Sequence, residues 1–473
     1  MKYYNCLAIT VILFCSTFSG FAQEEDIYRI NKEQKVFELS TIWKELTYNF
    51  ANMDNCNVDL DSLYRAYIPI VQNTENDIEY IHAIQRFMGH FNNGHTAMYH
   101  PEYLFYHASV PGIATEVKGD RILISNVIAR HADKIEIGDE VIAINGMNVI
   151  DYFEKYRYPY ICVSNPENKL PISMFGMFTY ISLKNTPLKL KIKKTSEIKE
   201  VEIYTDEEHP AFIKDSTTKA DVWIGKKTSR SNLFIQDTIN KWAYIRLTAC
   251  DENFSHFYQS HYDDIMKSKN FILDLSDSPG GTTQHTLVVH YTLVNNDTIH
   301  VYTEKARNNN SKSRAYASFY ANNYPEQEVD EYCKTNYYPH FYNNSFEDHA
   351  YPPSLNDIPD SLRYKGNVHV IIGGRTASAA EALVLGLTAE PNITFLGGKT
   401  AGAMGQPLEM VLPSGMKIYI NTVKTYDLQG RDVSSGYTPD YEMDFSSLNE
   451  IESSDELLQK LIKAITEKIK SEK

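Results

Sequence analysis

Ser378 stands where an apolar strand, Val368–Ile372, gives out through Gly373-Gly374-Arg375-Thr376-Ala377 and a helix, Ala379–Leu387, begins. A side chain at such a junction projects from the carboxyl edge of a sheet, where α/β proteins hold their ligands. The first N–H groups of a helix lack partners within it and carry partial positive charge, so they can hold a developing oxyanion beside a serine nucleophile. Serine is also a common helix N-cap, and this spot alone favours that plainer role. A second strand, Asn270–Leu275, runs into Ser278-Pro279-Gly280-Gly281. Glycines there let backbone N–H groups approach a ligand closely, although Pro-Gly is equally an ordinary turn.

The elements that must carry these residues follow from periodicity. Phe37, Leu39, Ile42, Trp43, Leu46 and Phe50 fall near a 3.6-residue repeat, and further helices are expected over 60–71 and 78–91. The last ends in Asn92-Asn93-Gly94-His95-Thr96, a helix stop followed by a tight loop. From Val110 the pattern becomes short strands, at 113–117, 121–127, 140–144 and 188–193. Among them, Ile137-Gly138-Asp139-Glu140 precedes a strand ending in Asn145-Gly146, which resembles the signature of PDZ domains. After the polar stretch 206–230, strands at 242–247, 270–275, 368–372 and 393–396 are separated by helices at 254–267 and 379–387. That alternation points to a parallel or mixed sheet covered on both faces.

Composition narrows the classes. The 473 residues carry 46 basic and 61 acidic side chains, a net charge of −15, which disfavours nucleic acid as a partner. With 42% hydrophobic and 23% charged residues the chain reads as folded globular protein. Lys2, the apolar run Cys6–Cys15 and Gly20-Phe21-Ala22 before Gln23 have the order of a cleaved secretory peptide, too short to span a bilayer. The mature protein is therefore expected in the periplasm or outside the cell, with no stable membrane span. Phe14 before Cys15 argues against lipoprotein processing. Cys56, Cys162, Cys250 and Cys333 show no CxxC or zinc spacing, and no metal or organic cofactor is implied.

Taken together, Asp274-Leu275-Ser276-Asp277-Ser278-Pro279-Gly280-Gly281, Thr376-Ala377-Ser378-Ala379-Ala380-Glu381, Gly397-Gly398-Lys399-Thr400-Ala401-Gly402 and Pro439-Asp440 resemble the C-terminal processing (tail-specific) serine peptidases and their tricorn-core relatives. The resemblance covers nearly the whole mature chain. It implies a ClpP/crotonase-like α/β catalytic core over 206–473, preceded by a helical N-terminal domain (23–105) and a PDZ-like domain (106–205), with residues 1–22 as the leader.

The same resemblance implies Ser378 as nucleophile, with an oxyanion hole from Ala379 and from Gly280 or Gly281. Tail-specific members place a catalytic lysine twenty-five residues after the serine, where this chain has Ala403. Lys399 lies before that turn and would need heavy desolvation to act as a base. The tricorn-like branch uses an N-terminal histidine, which matches His95 in Asn93-Gly94-His95-Thr96. A neutral imidazole has the proton affinity that a serine nucleophile needs. The branch's orienting glutamate aligns with Val433 or Ser434, leaving Asp432 as the preferred third group and Ser434 as a neutral substitute. The implied activity is peptide hydrolysis, with the PDZ-like domain presenting an extended peptide by strand addition. The alternative is a non-catalytic peptide- or small-ligand-binding relative of the same fold.

Overall fold

A computed structural model describes residues 27–471, except 110–111, 120, 175–179, 182–186, 195–196, 205–222, 226–230, 446–447 and 449–453. The expected leader and most of the polar connection lie outside the described residues.

The chain starts with α1 (Lys32–Asn49), α2 (Leu60–Gln72) and α3 (Asp77–Met88). Asn31, Asp59 and Asn76 cap them, each side chain accepting a backbone N–H of the first turn. Leu39, Ile42, Leu46 and Phe50 are buried as their spacing requires, but Phe37 is 59% exposed. Trp43 lies at the flank, stacked on Tyr64. The buried face of α1 instead continues through Lys35 and Glu38. Glu38 accepts hydrogen bonds from Tyr80 Oη (2.9 Å) and from Ser414 N (2.7 Å), so a polar group ties the helices to a distant hairpin.

After β1 (Ala97–Tyr99), a separate antiparallel sheet contains β2 (Ile113–Lys118), β3 (Arg121–Ile128), β4 (Glu140–Ile144), β5 (Pro187–Lys193), β6 (Ile198–Tyr204) and β7 (Trp223–Gly225). Its order is β7-β3-β4-β5-β6, with β2 paired to β3. Ile122, Ile124, Val141, Ile144, Leu190 and Ile192 give it a core of its own. The Gly138-Asp139 turn closes with Asp139 accepting from Glu136 N, and Asn145-Gly146 takes positive φ at both residues, as that dipeptide favours. Two helices not anticipated from periodicity, α4 (Val149–Tyr156) and α5 (Lys169–Met174), are inserted between β4 and β5.

The core follows, in the order β8 (Leu233–Asp237), β9 (Trp242–Arg246), α6 (Glu252–Met266), β10 (Asn270–Asp274) and α7 (Leu287–Leu293). Between α7 and the next strand of the main sheet the chain forms β11 (Thr303–Arg307), α8 (Ser311–Asn323), α9 (Glu331–Asn336), α10 (Tyr338–Phe341) and β12 (Phe346–Ala350). The chain continues with β13 (Asn367–Ile372), α11 (Ala379–Leu387), β14 (Ile393–Gly397), β15 (Leu408–Val411), β16 (Lys417–Ile420), β17 (Val423–Tyr426), β18 (Tyr441–Glu442) and α12 (Ser454–Ser471).

A six-stranded mixed sheet, β8-β9-β10-β13-β14-β18, is parallel except at the β8–β9 edge. Its pleat divides two cores. Ala243, Ile245, Phe271, Leu273, Val368 and Val370 join α6, α7 and α11 on one side. Tyr244, Ile272, Ile371 and Leu396 face α12 on the other, through its Leu457, Leu458, Leu461 and Ile465. The α/β core with a helical N-terminal region thus agrees with the sequence reading. Finally, β16 pairs with both β15 and β1 (Ala97↔Tyr419), so a hairpin late in the chain holds the strand that directly follows His95-Thr96.

Candidate active site

Three loops leave the carboxyl ends of adjacent parallel strands β10, β13 and β14. Backbone hydrogen bonds fasten them together: Ala377 N to Ser278 O (3.0 Å), Ala401 N to Thr376 O (3.0 Å) and Ser378 N to Ala403 O (2.9 Å). Thr376 is fully buried, and its hydroxyl donates to Leu275 O at 2.9 Å. Asp274, at the end of β10, accepts from Ser276 N (3.0 Å) and Tyr244 Oη (2.7 Å), which fixes the start of the Pro279-Gly280-Gly281 loop.

Ser378 is the residue preceding α11, yet its side chain makes no capping hydrogen bond. Its backbone has φ 54° and ψ −121°, a conformation that costs a non-glycine residue roughly 1–3 kcal/mol. The plain N-cap role is therefore not the one the geometry serves: the hydroxyl is left uncommitted on a strained turn. Replacing Ser378 by glycine should relieve this strain and raise unfolding free energy by about 1 kcal/mol, measured by urea denaturation, while removing the hydroxyl.

Gly280 packs directly on this turn. A β-carbon on it would meet Ser378 Cβ and Ala377 O at 2.6 Å and Ala379 N at 3.0 Å, so no side chain fits. Gly281 has the same need on its other side, where Cys250 O would lie 2.4 Å from an added carbon. Cys250 underpins the loop, donating its N–H to Gly280 O (2.9 Å), and its own thiol is pushed up to about 12 by burial. Among the described residues, the N–H groups of Ala379, Gly280 and Gly281 have no hydrogen-bond partner. They stand beside Ser378 as donors with nothing to bond.

His95 arrives from the loop after α3. Its N–H donates to Asn93 Oδ1 (2.9 Å), and its ring Nδ1 lies 3.2 Å from Met404 O. With a carbonyl as partner, Nδ1 must carry the proton, which leaves Nε2 as the basic nitrogen. Burial lowers the imidazole pKa, partly opposed by the Gly405 and Met404 carbonyls. Ser378 and His95 are thus anchored on adjacent residues of one stretch, by Ala403 O and Met404 O. No hydrogen bond from the Ser378 hydroxyl to the ring is found among the described residues.

The other sequence candidates are placed as follows. Asp432 is exposed, and its carboxylate accepts from Ser434 N (2.8 Å); the imidazole's partners are backbone carbonyls, and Asp432 is not one of them. Ser434 is buried with its hydroxyl unpartnered, and its carbonyl packs on Gly402 rather than on His95. Among the described residues neither has a hydrogen bond to the His95 ring, and the 431–437 loop meets the Thr400–Gly402 turn through Thr400 N to Tyr437 O (3.0 Å) and Tyr437 N to Thr400 Oγ1 (2.6 Å). Lys399 donates to Ser435 Oγ at 3.1 Å. Asp440 accepts from Phe395 N at 2.8 Å, a link between strands.

Glu381 is the residue that sequence reasoning passed over. It is 2% exposed, on the first turn of α11. Its Oε1 accepts from Thr400 Oγ1 (2.5 Å) and Gly402 N (2.8 Å), and its Oε2 from Ala403 N (2.8 Å). Burial raises its carboxyl to about 7, against the pull of these donors. The signal was present: Ser378-Ala379-Ala380-Glu381 has capping-box spacing. Here the glutamate clamps a neighbouring loop.

A hydroxyl at a strand-to-helix turn, unpaired N–H groups beside it and a neutral imidazole on the same stretch of backbone are the parts of a serine hydrolase. Residues 241–443 match the model of peptidase family S41. This region is thus a peptidase family S41 domain, of the serine type. Its fold is similar to that of mature CPAF, with 13% identity, a TM-score of 0.63 and coverage of 93% of this chain and 98% of that one. Mature CPAF complexed with lactacystin matches equally, at 15% identity, a TM-score of 0.63 and coverage of 93% and 99%. No curated protein matches the chain. Among the described residues there is no cluster with the makings of a metal site, and no helix is long and apolar enough to cross a membrane.

Proposed function

We propose that this peptidase is exported and hydrolyses peptide bonds with Ser378 as nucleophile and His95 as general base. The observation that carries this reading is the strained, uncapped Ser378 packed against Gly280, with His95 fixed to the next carbonyl along from its own anchor. In the Michaelis complex His95 Nε2 takes the hydroxyl proton as Ser378 Oγ bonds to the scissile carbonyl carbon. The carbonyl electron pair moves to oxygen, where Ala379 N–H and Gly280 or Gly281 N–H receive it. Collapse expels the amine, which collects the proton from His95; water then repeats the sequence and frees Ser378. Hydrogen bonds of this kind are often long before substrate binds, and substrate closes them.

The third member of the set is the Met404 carbonyl, which orients the ring and fixes its tautomer without a negative charge. The PDZ-like domain, residues 106–205, would add the substrate as a strand, and the leader over 1–22 would direct export. A fluorophosphonate probe tests the core of this reading. It should label the wild-type protein and leave Ser378→Ala unlabelled. Equal labelling of the two would reject Ser378, and a folded wild-type protein that takes no label would favour the non-catalytic binding relative.

A further inference from the structure

The segment Ser164-Asn165-Pro166-Glu167-Asn168 lies between α4 and α5, within the excursion from the β domain, and carries none of the catalytic groups. Three of its four polar side chains are buried, with Ser164 8%, Asn165 1% and Asn168 7% exposed. Each is spent on a different catalytic loop. Ser164 Oγ accepts from Gly94 N at 2.9 Å, one residue before His95. Asn165 Nδ2 donates to Thr400 O at 3.1 Å, at the start of the turn whose Ala403 and Met404 carbonyls hold Ser378 and His95. Asn168 Nδ2 donates to Gly374 O at 2.7 Å, in the loop that leads to Ser378.

The local geometry aims these groups. Asn165 Oδ1 accepts from Glu167 N (3.1 Å), which turns its amide nitrogen toward Thr400. Pro166 opens the single helical turn Pro166–Asn168 with its φ already set. The receiving side is shaped to match: a β-carbon on Gly374 would fall 1.9 Å from Asn168 Oδ1, so only glycine admits this approach. At Gly94 an added carbon would meet Ala403 Cβ at 3.1 Å and lie 3.8 Å from Ser164 Oγ, so the loop passes between the brace and the anchoring turn.

We propose that Ser164, Asn165 and Asn168 form a three-point positioning brace that sets the spacing between the base loop, the turn that anchors both catalytic residues, and the nucleophile loop. This rests on the assignment of Ser378 and His95 as the reacting pair. None of the three touches substrate or reacting atoms; they act through the loops they hold. Since about 1 Å of misplacement costs roughly 10²-fold in rate, loss of one strut should register in chemistry before it registers in binding.

The test uses the second-order rate of fluorophosphonate labelling, measured from pH 5 to 9 on proteins verified as folded by circular dichroism. Asn165→Asp and Asn168→Asp keep the shape but replace the donor with a carboxylate oxygen facing a carbonyl, and Ser164→Ala removes the acceptor. Each should label about 10–100-fold more slowly, while Ser164→Thr, which retains the hydroxyl, stays within about threefold of wild type. In Ser164→Ala the acid limb of the labelling profile should also move upward, because a loosened Gly94 loop readmits water to His95. A merely structural strut would not move that limb. Wild-type rates and an unchanged profile in all three variants would overturn the brace, and leave the nucleophile assignment standing if Ser378→Ala remains unlabelled. Labelling of Ser378→Ala would instead overturn the assignment on which the brace depends.

Discussion

Replacing His95 by alanine should lower kcat/KM by about 10⁴–10⁶-fold, the range seen when the base of a serine nucleophile is removed, with KM changed far less. The proposal rests on the imidazole bonding Met404 O, next to the Ala403 carbonyl that holds Ser378 N, while Lys399 is bonded to Ser435. The pH profile carries a second expectation. The base works only when neutral, so activity is present above its pKa and lost as pH falls through it. Burial lowers that pKa, so the acid limb of kcat/KM should lie below the usual imidazole value of about 6.5. A limb above 6.5, or a near-normal rate for His95→Ala, would remove His95 from the mechanism. Asp432→Asn should leave both rate and limb close to wild type, since its carboxylate serves Ser434 N.

Glu381→Ala should cost more stability than any other single change near the site. It strands the donors of Thr400, Gly402 and Ala403 in a buried position. At about 1–3 kcal/mol for each unsatisfied group, the loss is roughly 3–9 kcal/mol, a large part of the ~5–15 kcal/mol that holds a domain together. Activity should fall with it, because the same turn presents Ala403 O to Ser378 and Met404 O to His95. Glu381→Gln keeps the shape and gives the sign of the charge effect. The unfolded carboxyl ionises near 4.3 and the folded one at about 7, so ionisation works against folding between these values. Wild-type stability relative to Glu381→Gln should therefore decline as pH rises from about 4 to 7 and level off above. Urea titrations across that range decide it; a flat difference would mean that the donors hold the carboxylate ionised throughout.

The contrast between what the sequence disclosed and what it hid has a physical pattern. Strands β10 and β13 and helix α11 were legible because their residues are apolar on both faces and bounded by glycine, so local composition dictates them. Ser378 and Gly280 were legible as candidates because strand ends and helix starts are local events. The partner of His95 was not, since a backbone carbonyl contributed by Met404 has no residue type to betray it; a carboxylate was sought at Asp432 instead. The face of α1 was misjudged at Phe37 because Glu38, a charged residue, is buried by bonds to Tyr80 and Ser414 that lie far away in sequence. Ser164-Asn165-Pro166 carries no pattern that marks it for the site, and only the fold shows its hydroxyl and amide bonded to Gly94 and Thr400.

The contact between His95 and Met404 joins groups 309 positions apart. A ribosome adding residues in order completes the proposed base's anchor only after about six-sevenths of this polypeptide exists. Until then the nucleophile, even once made, lacks its oriented proton acceptor. The proposed base's anchor is therefore among the last contacts that synthesis can complete.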